Sequence, residues 1–177
     1  FQIKKEGLGI FKDLDLFKVI AEGSKYHQLS KRIFAGNHIR GKLSTPTSQP
    51  YYNTKGLGYG EQIVRGFELY VIDGQHYVHN RNEIKWRLLE TRQEKSIIPI
   101  EQFQTIPISI YLSGFVDYGY VVDNSYNPNN RFLSNRSIFG YGLGLNIVSF
   151  YDTVLRFEYS RNDLNETGLF LHLDAPF

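Results

Sequence analysis

The chain contains no cysteine, no methionine and a single tryptophan, and it has no long apolar run. The lack of cysteine fits an oxidising compartment in which stray thiols are avoided. No apolar run approaches the roughly 18 residues that a membrane-spanning helix needs. This excludes a helical membrane protein but leaves a membrane β-barrel open. Since the chain starts at Phe1 with neither an initiator methionine nor a signal peptide, we expect a processed or truncated product.

Charge of one sign is also scarce, because 20 Lys and Arg residues against 18 Asp and Glu residues give a net charge of +2. So small an excess gives no reason to expect a nucleic-acid partner. Aromatic residues are abundant by contrast, with 13 Tyr and 13 Phe, as in the aromatic girdles of membrane barrels. A soluble β-sandwich rich in tyrosine has a similar composition, so composition alone leaves both classes open.

Sequence signatures of catalysis are missing as well. The chain has no Gly-x-Ser-x-Gly nucleophile elbow and no phosphate-binding loop. None of the five histidines forms a pair with metal-binding spacing, and His76 and His79 fall on opposite faces of a strand. The sequence therefore predicts no enzyme activity, no catalytic residue, no cofactor and no metal site.

Alternation of apolar and polar residues replaces helical periodicity along most of the chain. The longest alternating run, 106–122, exceeds an ordinary globular strand and suffices for a tilted membrane strand. Alternation predicts seven or eight strands, at 16–28, 29–43, 77–89, 106–122, 137–147, 153–160 and 168–177, with a further one at 1–11. The pattern does not decide whether the charged face meets water outside a sandwich or inside a barrel.

One face of the strand at 137–147 carries Gly140, Gly142 and Gly144 and is nearly bare. In a soluble core this face would leave a hole, whereas in a barrel it makes room for a segment inside the lumen or lets the wall curve. Long connections at 44–75, 91–105 and 123–136 alternate with shorter ones at 149–152 and 161–167, as in outer-membrane barrels. These features predict one all-β domain over 1–177, an antiparallel transmembrane β-barrel.

The last predicted strand ends on an aromatic residue. Leu169, Leu171 and Leu173 occupy alternate positions before Phe177. Outer-membrane barrels as a class end in such a strand, which their assembly machinery recognises as a signal. Resemblance to that class therefore implies the same role for these residues and a location in the bacterial outer membrane.

A series of motifs resembles the BamA/TamA surface-antigen family of outer-membrane barrels. The motifs are a loop similar to the family's Val-Arg-Gly-Phe/Tyr sequence, Val64, Arg65, Gly66 and Phe67, and a Phe-x-Asp-x-Gly strand, Phe115, Asp117 and Gly119. Residues 82–86 resemble the family's Glu-bearing strand, and five predicted strands follow the loop, as in the family. The resemblance covers about 16–177 and implies the C-terminal half of a 16-stranded barrel. In the family the long loop, at about 44–75 here, folds back into the lumen.

The resemblance also implies that Arg65 binds acidic residues of the inner wall, which are Asp117 and Glu83 in this chain. Both carboxylates lie on the polar faces of their strands, and a planar guanidinium suits two-pronged donation to a carboxylate. Gly66 would give the turn its freedom, and Phe67 would anchor apolar contacts. The interior of an eight-stranded barrel holds only its own side chains. A lumenal loop therefore requires about eight further strands, from an upstream half or from a second chain.

The function implied by the resemblance is the insertion or translocation of other proteins at the outer membrane, through a lateral seam between the first and last strands. The implied partners are the lipid bilayer, unfolded outer-membrane protein clients, and either accessory assembly lipoproteins or a second barrel half. A two-partner-type secretion pore and the barrel of a self-secreting enzyme are related alternatives. A soluble sandwich or lipocalin-like binding module is the alternative from a different class.

Overall fold

A computed structural model describes residues 1–7, 15–93, 106–125, 130–149 and 153–174. The main sheet is built from β1 Gln2–Glu6, β2 Leu16–Gln28, β3 Ile33–Thr45, β6 His76–Gln93, β7 Ile106–Val122, β8 Ser137–Val148, β9 Val154–Asn162 and β10 Thr167–Asp174. Its order is β1-β2-β3-β6-β7-β8-β9-β10, and every neighbouring pair is antiparallel. Two short strands, β4 Lys55–Leu57 and β5 Ile72–Asp73, pair with each other between β3 and β6.

The prediction of an all-β chain of antiparallel strands is confirmed, and eight strands lie in the main sheet. Strands β2 and β7 have the predicted bounds. Strand β3 starts at Ile33, later than predicted, because residues 29–32 form the turn that precedes it. Strand β6 continues to Gln93 past an irregularity in its pairing with β7 between Arg87 and Leu89.

The sheet is not closed into a barrel. Strands β1 and β10 lie at its two edges, and neither edge pairs with another strand of the described chain. The sheet is nevertheless curved. This follows from a single cavity of about 510 Å³ that residues of β2, β3, β6, β9 and β10 line together. In a flat sheet β2 and β10 would lie six strand spacings, or about 29 Å, apart. Among the described residues, no helix is long and apolar enough to cross a bilayer.

The two faces of the sheet differ in polarity and in exposure. On the face that we call the apolar face, Leu143 and Leu171 are 60% and 63% exposed. On the opposite face, called the polar face, Asp117 and Glu158 are 0% and 1% exposed. Sheets of soluble proteins have the reverse arrangement, with the apolar side covered and the polar side in water.

The segment between β3 and β6, residues 46–75, covers part of the polar face. It is called the lumenal loop below, after the loop of the family that its motif resembles. An apolar cluster joins this loop to the sheet and to the connection after β7. Its buried members are Leu57, Val64, Phe67, Ile72, Tyr77, Val121, Leu133 and Ile138. The cluster lies at the end of the sheet where β6 begins and β7 ends. The hydrophobic core therefore lies where loop residues pack against strand residues at one end of the sheet.

Hydrogen bonds fix the base of the lumenal loop to β3. The ammonium group of Lys42 donates to the backbone carbonyls of Lys55 and Gly74. The hydroxyl of Ser44 donates to the Gln75 carbonyl at 2.6 Å. These bonds hold Lys55, Gly74 and Gln75 against one strand. The part of the loop between Lys55 and Gly74 extends across the sheet.

The segments 46–75, 123–125 and 130–136 lie at the same end of the sheet, because β3 and β7 end there and β6 and β8 begin there. Of the predicted long connection 91–105, residues 91–93 belong to β6 and residues 94–105 lie outside the described residues.

Candidate functional site

The motif at the tip of the lumenal loop forms a tight turn. The Phe67 amide donates to the Val64 carbonyl at 2.9 Å, and Gly66 has φ +95°. A positive φ at the third of four turn residues is typical of type II turns and favours glycine. Val64 and Phe67 are each 2% exposed within the apolar cluster. The turn thus places two apolar anchors on the cluster and directs Arg65 along the polar face.

Arg65 binds Asp117 of β7 through two parallel hydrogen bonds. Its Nε lies 2.8 Å from Oδ2, and its Nη2 lies 2.7 Å from Oδ1. The backbone amide of Arg65 also donates to Asp117 Oδ2, at 3.2 Å. The Arg65 guanidinium carbon lies 3.8 Å from the centre of the Phe115 ring, within cation–π range. The structure therefore brings together Arg65, Asp117 and Phe115, which the sequence placed in two separate motifs.

Two further carboxylates surround the same guanidinium. Nη1 of Arg65 lies 3.5 Å from Glu158 Oε1 and 3.7 Å from Glu83 Oε1. Glu83 also pairs with Lys85 at 3.3 Å. Burial lowers the pKa of Arg65, but the hydrogen bonds and the negative charge of Asp117 raise it overall. Arg65 is therefore a permanent cation held among three carboxylates.

Two glycines of the polar face, Gly140 of β8 and Gly119 of β7, lie directly beneath the lumenal loop, whereas a Cβ atom on Gly142 or Gly144 of β8 would meet residues of β7 and β9. A Cβ atom on Gly140 would overlap the backbone carbonyl of Arg65. A Cβ atom on Gly119 of β7 would lie 2.7 Å from side-chain atoms of both Leu57 and Val64. The space that Gly140 and Gly119 provide on the polar face is thus filled by the loop.

Asn162, at the end of β9, is a site residue that no sequence motif marked. Its side-chain amide donates to the Gly66 carbonyl at 2.9 Å. Its side-chain oxygen accepts the amides of Leu164 and Glu166 at 3.1 and 2.9 Å. Asn162 is 1% exposed, so one buried side chain fixes both the loop turn and the β9–β10 turn.

Replacing Asn162 with alanine should destabilise the protein by about 1–3 kcal/mol, because buried polar groups lose their partners. Urea unfolding followed by the fluorescence of Trp86, the single tryptophan, measures the effect. Asn124→Ala, at an exposed position, is the control and should change the free energy of unfolding by less than about 0.5 kcal/mol. Equal effects of the two substitutions would contradict a special role for Asn162.

The remaining predicted site residues divide into two groups. Leu169, Leu171 and Leu173 lie on the apolar face of β10 and are exposed, away from the lumenal loop. Phe177 lies outside the described residues.

A second cluster of charged side chains lies beside the Arg65 site. Glu68 of the lumenal loop, Glu158 of β9 and His172 of β10 converge, with Nε2 of His172 3.2 Å from Glu68 Oε2 and 3.4 Å from Glu158 Oε2. Burial raises the pKa of Glu68, and the charge of His172 offsets this in part. Residue spacing among histidines did not reveal this cluster, because its members come from three segments that meet only in the fold.

Comparison of the chain with models of known protein families, with curated proteins and with solved structures finds no match.

Proposed function

We propose that the chain is the C-terminal wall of a bacterial outer-membrane β-barrel of the BamA/TamA type, which inserts or translocates other proteins without catalytic chemistry. The observation that carries this proposal is the docking of the lumenal loop, through buried Arg65, onto the polar face of a sheet whose opposite face is apolar and exposed.

The apolar face supports contact with lipid rather than water. Exposed leucine, isoleucine, phenylalanine and tyrosine side chains extend from β3 to β10. A contiguous surface of this kind marks an interaction or membrane site. The asparagines on this face bond to one another, since Asn37 donates to Asn82 at 2.7 Å and Asn82 donates to Asn80. Polar groups that face lipid need such partners.

The polar face supports a barrel of more than eight strands. The lumenal loop occupies the space in front of β7, β8 and β9, which the packed interior of an eight-stranded barrel does not offer. The edges of β1 and β10, which no other described strand pairs with, supply the backbone groups that a further half barrel would pair with. The missing half comes, in this proposal, from an upstream part of the protein or from a second chain.

A charge placed on the apolar face separates membrane from soluble alternatives. If this face meets lipid, Leu143→Arg should destabilise the protein in bilayers by about 2–4 kcal/mol, because Leu143 lies mid-strand. A soluble sandwich with an exposed leucine would change by less than about 0.5 kcal/mol. Unfolding in lipid vesicles measures the difference, with Leu69→Arg, at an 89% exposed loop position, as the neutral control.

The protein-insertion function is tested by reconstitution. Intact protein in lipid vesicles should accelerate the folding of an unfolded outer-membrane barrel client, and Arg65→Ala should abolish the acceleration. Arg136→Ala, which removes an exposed pair with Asp163, should leave it unchanged. Ion conductance without acceleration of client folding would replace the insertase proposal with the secretion-pore alternative.

A further inference from the structure

We infer that Glu68, Glu158 and His172 form a binding site for a divalent transition-metal ion such as Zn²⁺. Each residue offers one ligand atom, and these atoms all lie within 4.8 Å of one another. Imidazole nitrogen and carboxylate oxygen are common zinc ligands, and three protein ligands leave a fourth position open.

Two of the three separations between the ligand atoms match a tetrahedral site. Zinc bonds of about 2.0–2.2 Å at tetrahedral angles separate neighbouring ligand atoms by about 3.3–3.5 Å. Nε2 of His172 lies 3.2 Å from Glu68 Oε2 and 3.4 Å from Glu158 Oε2. The third separation, between the carboxylate oxygens of Glu68 and Glu158, lies within 4.8 Å, so one ion can bind all three side chains if these two carboxylates approach each other.

The polar groups of the cluster lack enough partners of their own. The Glu68 side chain is 8% exposed and directs Oε2 at His172, while its Oε1 has no hydrogen-bond partner among the described residues. The single Nε2–H of a neutral imidazole can satisfy only one of the two carboxylates that face it. A dication can bind one oxygen of each carboxylate at the same time, which a single N–H cannot do.

The surroundings of the cluster suit an exchangeable ion. Arg65 holds Oε1 of Glu158 at 3.5 Å, which orients Oε2 toward His172. All three ligand residues line the 510 Å³ cavity, so an ion can enter from the lumen. Because the ligands belong to the lumenal loop, β9 and β10, a bound ion would connect the loop to the last strand. The site does not depend on the proposed function.

The mixed ligand set selects among metals. Ca²⁺ and Mg²⁺ prefer oxygen ligands, six or more of them or several waters, whereas an imidazole nitrogen favours zinc, nickel or copper. An excess of Ca²⁺ or Mg²⁺ should therefore leave bound Zn²⁺ in place. Displacement by Ca²⁺ or Mg²⁺ at comparable concentration would overturn the assignment to a transition metal.

Calorimetric titration of ZnCl₂ into the intact, untagged, EDTA-stripped protein tests the site. We expect one ion per chain with micromolar or tighter affinity. His172→Ala and Glu68→Gln should each weaken binding by at least about tenfold, since loss of supporting groups around a metal alone costs about 10–100-fold. His38→Ala is the matched control, because His38 has similar exposure, 27% against 28%, and among the described residues pairs with a single carboxylate, Glu22, beside a hydrogen bond with Ser24. No saturable binding, or binding that survives His172→Ala, would overturn the inference.

Cobalt substitution gives a second measurement that needs no variant. Co²⁺ bound to the wild-type protein should show the intense visible absorption of a four-coordinate ion. The weak spectrum of the six-coordinate aqua ion would overturn the inference even if the variants fail to fold. Both measurements use isolated protein without a client, so their failure is distinct from a failure of the insertion assay.

Discussion

Replacing Arg65 with alanine is expected to lower the free energy of unfolding by about 3–5 kcal/mol, because the buried Asp117 carboxylate loses its main partner. Glu158 and Glu83 lose the same cation. Urea unfolding followed by Trp86 fluorescence measures the loss. Amide exchange across residues 58–71 should increase at the same time, since the loop tip is no longer held against the sheet.

Matched substitutions identify the source of this effect. Arg136→Ala removes an exposed ion pair in which Nη2 of Arg136 lies 2.6 Å from Oδ2 of Asp163. This substitution should lower the free energy of unfolding by less than about 1 kcal/mol. Asp117→Ala should resemble Arg65→Ala, and the double variant should be less destabilised than the sum of the two single variants. Strictly additive losses would mean that Arg65 and Asp117 do not stabilise each other directly.

Gly140→Ala is expected to displace the lumenal loop, although it adds only one methyl group. The new Cβ would overlap the Arg65 carbonyl, and a backbone atom cannot yield as a flexible side chain can. If the loop moves away, it loses the buried ion pair as well as the apolar anchors, so we expect a loss of about 3 kcal/mol or more. Urea unfolding measures the free energy, and limited proteolysis of 58–71 reports the loop position.

Gly114→Ala is the control for this substitution. Gly114 lies within the neighbouring strand β7, and its added Cβ would meet only Leu143 Cδ2 at an ordinary 3.7 Å. The control should be neutral or slightly stabilising, because alanine restricts the unfolded chain more than glycine does. If both substitutions have equal effects, the loop does not rest on Gly140.

The sheet was predictable because each strand carries its own signal. Alternation in 106–122 and 137–147 located β7 and β8 closely, since side chains of a strand point to opposite faces in turn. The short strands β4 and β5 were missed because three and two residues give too little alternation to detect. Alternation also does not indicate which face of the sheet is covered. The three-dimensional fold shows that the lumenal loop covers part of the polar face.

The candidate site was predictable where its residues form motifs. The resemblance linked Arg65 to Asp117 because both belong to recognisable local sequences. Glu158 and Asn162 contact the loop from β9 but belong to no motif. Their positions on the polar face of an alternating strand were the available signal, and many other residues of the polar face share it. Contacts between segments nearly a hundred residues apart depend on register, which a single sequence does not specify.

The lumenal loop connects two strands that lie far apart in the sheet. The loop is fixed to β3 through Lys42 and Ser44 and to β9 through Asn162, four strand spacings or about 19 Å along the sheet. The strand spacing fixes the distance between β3 and β9 along the sheet. The loop that joins them across the polar face limits how far apart they can lie in space. The curvature of this part of the sheet is therefore constrained by contacts within the chain itself.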